Sequence, residues 1–288
     1  MNFHVEPFEG AIGAEITAID LSKELDDPGH ERLTDAWNQH SVLVFRDQDL
    51  SPEQLIRFSK RFGALEVHVL DQYLHPEHPE ILVVSNVVEN GRHVGIYDAG
   101  IYWHSDLSYM AEPSRGSILY AIEIPEADGR SLGDTLWAST AAAYEALDTA
   151  TQRRIDSLQA AFSLANRFGK LVEDGDKDAI LTDVQLAKTQ EAVHPVVRTH
   201  PVTGRKCIFV NEGHTARIVG LAEDESHSLL EELWAYCIRP EFVYRHNWRP
   251  GDVVMWDNVP TQHIALRDYE LPQRRYLHRT TLTGSRPF

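Results

Sequence analysis

Short apolar runs recur along most of the chain and predict β-strands. Segments 41–45, 81–84 and 253–256 are runs of four or five residues dominated by valine, leucine and isoleucine. Runs of this length, bounded by polar or turn residues, are typical of buried strands. The same pattern predicts further strands at 116–124, 192–198, 207–210, 242–246 and 276–282. Many short strands at close spacing favour a sandwich or jelly roll.

Fewer segments carry the spacing and end signals of helices. Ser51 is followed by Pro52 and, three residues after the cap position, by Gln54, a combination typical of a helix start. Residues 223–237 form one amphipathic pattern with an acidic first turn, which suits a helix N-terminus. Residues 139–158 predict a helix with a break at its middle. The fold class predicted is therefore mainly β with flanking helices.

The pattern predicts a single domain over residues 1–288. No repeat, low-complexity segment or Pro/Gly/Ser linker divides the chain. Residues from about 165 to 192 are polar and irregular, which is long for a loop in a compact domain. We therefore expect a lid or insertion around 160–192.

Composition narrows the classes of partner. The net charge is −17, and so acidic a protein repels nucleic acid and anionic membranes. No signal peptide is recognisable, and no apolar run approaches the roughly 20 residues of a membrane helix. Cys207 and Cys237 match no zinc-type spacing and indicate no disulfide framework. We therefore expect a cytoplasmic protein whose partner is a small molecule.

One histidine–carboxylate pair has the spacing of metal ligands. On a strand, residues i and i+2 point to the same face, so His104 and Asp106 could hold one ion. Two histidines and one carboxylate on one face of an octahedron are typical of non-haem Fe(II) oxygenases. Taken alone, His104 could equally be a hydrogen-bonded structural histidine.

The C-terminal part of the chain adds a histidine and two arginines. A hydrophobic strand ends in a polar turn that leads to His263, and Arg275 and Arg279 follow. If this segment is a strand, Arg275, Leu277 and Arg279 lie on the same face of it. Either arginine could pair with acidic neighbours at the surface. Together they could form a clamp for a carboxylate, for which arginine is suited.

These segments together resemble the family of taurine dioxygenase and 2,4-dichlorophenoxyacetate dioxygenase. The matching segments follow the family's order over about 240 residues of this chain. They are 41–46, 62–68, 103–106, 133–135, 210–213, 256–263 and 272–279.

The resemblance implies a double-stranded β-helix (jelly roll) that uses Fe(II), 2-oxoglutarate and O2. It implies that the metal ligands are His104, Asp106 and His263. It implies that Arg275, assisted by the hydroxyl of Thr135, pairs with the distal carboxylate of 2-oxoglutarate.

The resemblance also points to residues that hold the substrate. Arg279 would hold the acidic group of the substrate or the other carboxylate of 2-oxoglutarate, and His68 would line the substrate pocket. The chain departs from the taurine enzyme at two pocket positions, where Gly100 replaces Asn and His214 replaces Phe. Both positions are therefore expected to influence which substrate binds.

The implied activity is hydroxylation of a small anionic substrate, with release of succinate and CO2. A taurine-like alkylsulfonate is the first choice of substrate, followed by an aryloxyalkanoate or another small carboxylate such as an N-acyl amino acid. The alternatives are a jelly-roll metalloenzyme that does not use 2-oxoglutarate and a non-catalytic binding protein. The family also suggests a homo-oligomer, either a dimer or a tetramer.

Overall fold

The chain is mostly β, with few helices. The structure is a computed structural model, and it describes residues 2–97, 100–165, 168 and 181–288. In chain order the strands are β1 His4–Pro7, β2 Ala14–Thr17, β3 Val42–Phe45, β4 Leu82–Ser85, β5 Val88–Glu89, β6 Arg92–His93, β7 Gly116–Glu123, β8 Glu126–Ala127, β9 Arg130–Ser131, β10 Thr135–Ser139, β11 Gln159–Phe162, β12 Ala192–Pro195, β13 Val197–Thr199, β14 Lys206–Ile208, β15 Thr215–Ile218, β16 Val243–His246, β17 Val253–Asp257, β18 Thr261–Ala265 and β19 Tyr276–Leu282.

Six α-helices lie wholly within the described ranges. They are α1 Asp27–His40, α2 Pro52–Lys60, α3 Thr140–Ala146, α4 Thr149–Ile155, α5 Asp183–Lys188 and α6 Glu223–Cys237. Helix α2 begins with the capping box that its sequence predicts: Ser51 accepts from the backbone of Gln54, and the Gln54 side chain accepts from the backbone of Ser51. None of the helices in these ranges is both long and apolar enough to cross a membrane.

A seven-stranded sheet forms the larger layer, in the order β1-β2-β3-β17-β7-β19-β4. Its strands pair antiparallel except for β2 and β3, which are parallel. In the centre of this sheet, β17 and β19 both pair with β7. Strands from the middle and the end of the chain are therefore neighbours, and β19, which carries Arg279, lies beside the early strand β4.

Both faces of this sheet are buried, and side chains alternate between two cores. Leu43 and Phe45 face the core formed with α1 and α2, whereas Val42 and Val44 face a second core on the opposite side. This alternation follows from the two-residue period of a strand. Because both faces are covered, the strand reads as a continuous apolar run rather than as alternating polar and apolar residues.

A three-stranded sheet in the order β16-β10-β18 shares the second core. Trp137 of β10 is fully buried, and its ring lies 5.6 Å from that of Trp256 in β17. Burying an aromatic side chain of this size contributes roughly 2–3 kcal/mol. The tryptophan pair therefore stabilises the approach of the two sheets between which the functional site lies.

Most predicted elements are present, but two are divided, two helices were not predicted, and strands such as β11 and β15 were missed. The predicted helix 139–158 is divided into α3 and α4, because Asp148 caps the second helix. The predicted strand 192–198 is divided into β12 and β13. Helix α1, capped by Asp26, was not predicted, nor was α5, which begins at a capping box of Thr182 and Gln185 inside the stretch expected to be irregular.

The predicted lid or insertion around 160–192 lies partly outside the described residues. The positions concerned are 166–167 and 169–180. The lid therefore stays a prediction.

Candidate active site

The three predicted metal ligands lie together between the two sheets. His104 forms an isolated antiparallel bridge with His263 of β18, through backbone hydrogen bonds of 3.0 and 2.8 Å. Asp106 follows two residues later, and one ligand atom from each of the three residues lies within 4.8 Å of the other two. The sequence predicts that His104 and Asp106 lie on one strand. In the structure, neither residue lies on a regular strand. The bridge to β18 places His104 beside His263, and a turn then presents Asp106.

The orientation of the His104 ring leaves one nitrogen for a metal. Its Nδ1 lies 2.9 Å from the carbonyl oxygen of Tyr102, which can only accept a hydrogen bond. In the neutral ring, Nε2 then carries the lone pair, and it lies 3.6 Å from Oδ1 of Asp106. A hydrogen bond that fixes the far nitrogen in this way is common at metal-binding histidines.

The Asp106 carboxylate is held in its ionised form. Its Oδ2 accepts from the Ser117 hydroxyl at 2.9 Å and its Oδ1 accepts from Arg279 at 3.1 Å. Burial alone would raise the pKa of Asp106, but Arg279 and the two histidines hold it well below its usual range. A carboxylate that stays charged while buried suits a cation site.

His263 completes a donor set that fits a transition metal. Burial, followed by the neighbouring His104, holds the pKa of His263 well below its usual value. Within the described residues, Nδ1 of His263 is buried and has no hydrogen-bond partner. Metal ligands must be deprotonated, so a neutral imidazole and an ionised carboxylate are the required forms. Two nitrogens and one carboxylate oxygen agree with the ligand set of non-haem Fe(II) sites.

An inner cavity extends from the histidines into the core. Besides His104 and His263 it is lined by Val84, Gly100, Leu119, Thr135, Trp137, Trp256, Ala265, Arg275 and Arg279. Two cationic groups, Arg275 and Arg279, therefore lie in the wall of a largely apolar cavity.

Arg275 is a buried cation without an acidic partner in the described part of the chain. It is 3% exposed, its Nε makes no hydrogen bond there, and its Nη2 donates only a long bond of 3.4 Å to the carbonyl of Gly133. Burial lowers its pKa, whereas Tyr269, Asp268 and Asp134 raise it. A buried guanidinium without a directly paired carboxylate is costly, so an anion in the inner cavity would stabilise it.

Thr135 and Gly133 shape the space around Arg275. The Thr135 hydroxyl accepts from Trp248 Nε1 at 2.9 Å, which leaves the hydroxyl proton of Thr135 for an acceptor in the cavity. Gly133 has a φ of +74°, and a Cβ there would lie 2.9 Å from Nε of Arg275. Only glycine combines this backbone conformation with the close approach of the guanidinium.

Arg279 contacts Asp106 and also lines a second cavity. It donates to Asp106, while its buried Nε has no partner among the described residues. We call this second cavity the outer cavity. It is lined by His68, Leu70, Ile96, Gly100, Tyr102, His104, Asp106, Leu107, Tyr109, Leu164, Phe168, His214 and Arg279. Both cavities therefore share Arg279, His104 and Gly100.

His68 lies in the outer cavity as a neutral hydrogen-bond donor. Its Nδ1 accepts from the backbone N–H of Leu70 at 3.2 Å, so the ring proton is on Nε2. Burial, followed by the charge of Arg279, lowers the pKa of His68 to about 3. His68 can therefore donate a hydrogen bond beside Arg279 without adding a second positive charge.

The two positions that depart from the taurine enzyme both line the outer cavity. His214 is buried, with Nδ1 3.0 Å from the Ser108 hydroxyl. Gly100 has a φ of +73°, and a Cβ there would lie 2.8 Å from Cε1 of His104. A side chain at position 100 would therefore disturb the ring of His104.

Several residues around the site were not singled out from the sequence. Asn258 hydrogen bonds to the backbone of Asp106, Ser117 to its carboxylate, and Trp248 to Thr135. Tyr109 lines the outer cavity. Asn258 lies in the segment that resembles the family, but its contact with Asp106 spans 152 positions and has no local signal.

Comparison with known proteins agrees with this geometry. The sequence pattern of the family described as "Taurine catabolism dioxygenase TauD, TfdA family" matches residues 4–281. The chain belongs to the TauD/TfdA dioxygenase family. It is therefore an enzyme, and its relatives are dioxygenases that depend on α-ketoglutarate, another name for 2-oxoglutarate.

Individual members of the family are similar over nearly their whole length. Pentalenolactone F synthase of Streptomyces arenae is 34% identical over 95% of this chain and 93% of its own. The α-ketoglutarate-dependent 2,4-dichlorophenoxyacetate dioxygenase of Cupriavidus pinatubonensis is 34% identical over 98% of each chain. The crystal structure of AAD-2 with Mn(II) and N-oxalylglycine superimposes with a TM-score of 0.83, at 30% identity, over 100% of this chain and 99% of that one.

Proposed function

We propose that this TauD/TfdA dioxygenase holds Fe(II) on His104, Asp106 and His263 and binds 2-oxoglutarate in the inner cavity. We propose that it oxidises a small anionic substrate in the outer cavity, with O2 as cosubstrate and succinate and CO2 as products. The observation that carries the proposal is the position of Arg275 and Arg279, two buried guanidinium groups beside one metal-binding triad. We further propose that the facing sheets form a double-stranded β-helix within a single domain.

The residues of the inner cavity suit the distal carboxylate of 2-oxoglutarate. Arg275 has a buried Nε without a partner in the described ranges, and the Thr135 hydroxyl can donate beside it. A guanidinium binds a carboxylate through two parallel hydrogen bonds, which fixes its orientation. The metal, when bound with 2-oxoglutarate and O2, would supply the oxidising chemistry, and the chain supplies ligands, orientation and a largely apolar enclosure.

The outer cavity suits an anion that carries an apolar body. Arg279 and the Nε2–H of His68 can both bind an anionic group beside the triad. Much of the remaining lining is aliphatic or aromatic, including Leu70, Ile96 and Phe168. Such a lining favours an acid with an aromatic or alkyl group.

This lining disfavours taurine itself. Taurine carries an ammonium group, and the described lining of the outer cavity has no acidic side chain other than Asp106, which is a proposed metal ligand. Burying an ammonium group without a partner is costly. We therefore place aryloxyalkanoates, and alkyl sulfonates or sulfate esters without an amine, ahead of taurine. The first choice from the sequence, a taurine-like alkylsulfonate, is in this way narrowed to sulfonates without an amine.

The names of several relatives include substrates of the same chemical classes. They include an (S)-phenoxypropionate dioxygenase, an alkylsulfatase and an α-ketoglutarate-dependent sulfate ester dioxygenase, each 32–34% identical to this chain. These compounds share one anionic group and an apolar remainder. The observation in this chain that agrees with them is the apolar lining next to Arg279.

The test is succinate formation by the Fe(II)-loaded protein with 2-oxoglutarate and O2, across aryloxyacids, alkyl sulfonates, sulfate esters, N-acyl amino acids and taurine. We expect succinate to rise above the uncoupled background with an amine-free anion that carries an apolar group. Stimulation by taurine alone would contradict the substrate class. No consumption of 2-oxoglutarate despite bound metal would contradict the reaction class. The negative control for succinate formation is the His104→Ala protein.

A further inference from the structure

Tyr109 has a hydroxyl group that the site described so far does not use. Its side chain lines the outer cavity and is 4% exposed. Within the described part of the chain, the phenol oxygen makes no hydrogen bond to the protein, and it keeps some accessible surface in the cavity. A ligand that fills this space displaces water from the hydroxyl. Leaving a buried hydroxyl unpaired costs free energy, so a ligand that offers it a hydrogen-bonding atom is favoured.

The ring of Tyr109 is held in one orientation by a hydrogen-bonded neighbour. It contacts the His214 ring edge-on, with centroids 4.9 Å apart and planes at 70°. His214 is fixed in turn, because its Nδ1 lies 3.0 Å from the Ser108 hydroxyl and its backbone N–H donates to Oδ1 of Asn211 at 2.9 Å. Asn211 also donates to the same Ser108 hydroxyl at 3.1 Å. A donor whose ring is fixed in advance loses little entropy when a ligand binds.

The outer cavity therefore contains two kinds of recognition group. Arg279 and His68 suit the anionic group of a substrate, and the Tyr109 hydroxyl is a separate, neutral group in a largely apolar wall. An apolar wall by itself discriminates weakly between substrates of similar shape, whereas a buried hydrogen-bonding group rejects a ligand that leaves it unpaired.

We propose that Tyr109 is a specificity-determining residue, which selects anionic substrates that carry a second hydrogen-bonding group, such as a carbonyl oxygen, beyond the anionic group. This inference rests on the proposed function, because it places the substrate in the outer cavity. It narrows the substrate class from an anion with an apolar body to an anion whose body also carries a hydrogen-bond acceptor. His214, in this arrangement, positions the Tyr109 ring.

The test uses pairs of acids that differ in one acceptor group. The 3- and 4-acetylphenoxyacetates and the 3- and 4-isopropylphenoxyacetates have nearly the same shape, but only the acetyl compounds carry a carbonyl oxygen. Their affinity is measured by calorimetry without O2, on protein loaded with Fe(II) and 2-oxoglutarate. The proteins compared are wild type, Tyr109→Phe and Tyr144→Phe. Tyr144 is a matched control, because its hydroxyl already donates to Asp156, outside both cavities.

We expect wild type and Tyr144→Phe to bind one acetyl isomer about 3- to 10-fold more tightly than its isopropyl partner, which is the usual net effect of one neutral hydrogen bond. Tyr109→Phe should bind both members equally, with unchanged affinity for 2-oxoglutarate. Equal binding of both members by wild type would overturn the proposal, as would a preference that persists in Tyr109→Phe.

Turnover separates failure of this inference from failure of the proposed function. If the acids bind with the expected preference but none stimulates succinate formation, the role of Tyr109 stands and the proposed reaction on this class fails. If neither member of any pair binds, while succinate still forms slowly from 2-oxoglutarate alone, the inference and the substrate class fail and the reaction class stands.

Discussion

The side-chain amide of Asn258 holds the backbone of Asp106 on both sides. Its Oδ1 accepts from the Asp106 N–H at 2.8 Å, and its Nδ2 donates to the Asp106 carbonyl oxygen at 2.8 Å. The same amide also contacts Ser105 and Ser114, and Asn258 has no exposed surface. Asp106 lies in a turn and not in a regular strand, so this amide replaces the backbone partners that a neighbouring strand would provide.

Substitution Asn258→Ala should therefore weaken metal binding. Groups that orient metal ligands typically contribute about 10- to 100-fold to metal affinity. Mn(II) titration followed by electron paramagnetic resonance measures the affinity without redox chemistry. Asn38→Ala is the control, because Asn38 accepts a hydrogen bond from Arg115 on the helical side of the large sheet. Wild-type affinity in folded Asn258→Ala would show that Asp106 is held by its other contacts.

Removing either imidazole of the triad should abolish turnover. His104→Ala and His263→Ala each leave two ligands of three, and we expect both loss of Mn(II) binding and loss of succinate formation. Thermal unfolding of the metal-free proteins checks that each variant folds. Full activity in either variant would refute the assignment of the triad.

Arg275→Ala should raise the 2-oxoglutarate requirement sharply. Losing a charge-assisted bidentate pair costs on the order of 2–4 kcal/mol, or about 30- to 1,000-fold in affinity. The measurement is the dependence of succinate formation on 2-oxoglutarate concentration. The adjacent Arg274→Ala is the control, because Arg274 is half-exposed and pairs with Glu123. An unchanged requirement in Arg275→Ala would mean that another residue binds the cosubstrate.

Gly100→Ala should damage the metal site through a steric clash. A Cβ at position 100 would lie 2.8 Å from Cε1 of His104, in a backbone with a φ of +73°. Gly129→Ala is the matched control, because Gly129 has a φ of +72° and open space around it. The left-handed backbone should cost each variant about 1–2 kcal/mol of unfolding free energy. Only Gly100→Ala should also lose Mn(II) affinity, and equal affinities in the two variants would contradict the clash.

His278 should make the stability of the protein depend on pH. Burial, followed by His75 and His78, lowers the pKa of His278 from 6.5 to about 4, so the unfolded chain binds its proton first as the pH falls. The contribution of His278 to the free energy of unfolding is therefore fully present above pH 6.5 and is lost as the pH falls toward 4. The loss from this residue between pH 7 and pH 5 is at most about 2 kcal/mol.

Urea unfolding at pH 7 and pH 5 tests this dependence. His278→Gln should lose less unfolding free energy over this interval than wild type. His227→Gln, which changes an exposed histidine on α6, should behave as wild type. An equal loss in His278→Gln and wild type would show that other groups cause the dependence.

The local features of this chain could be predicted from the sequence because they depend on neighbouring residues. The capping box at Ser51 and Gln54 formed as expected, and apolar runs such as 253–256 became buried strands. The four-residue runs of β11 and β15 were missed, because each pairs with partners distant in sequence and has little signal of its own. Helix α1 was missed although Leu33, Ala36 and Trp37 have helical spacing and Asp26 caps it, because only these few apolar residues mark its buried face.

For the site, the sequence by itself determined the chemical types: two histidines, a carboxylate and two arginines, whose order resembles one family. Only the tertiary structure decided how these groups meet. The bridge between His104 and His263, the amide of Asn258 around Asp106, and the hydroxyl of Tyr109 in the outer cavity arise from chain packing. Residues more than 150 positions apart come into contact only when the sheets pack, and no local pattern encodes such contacts.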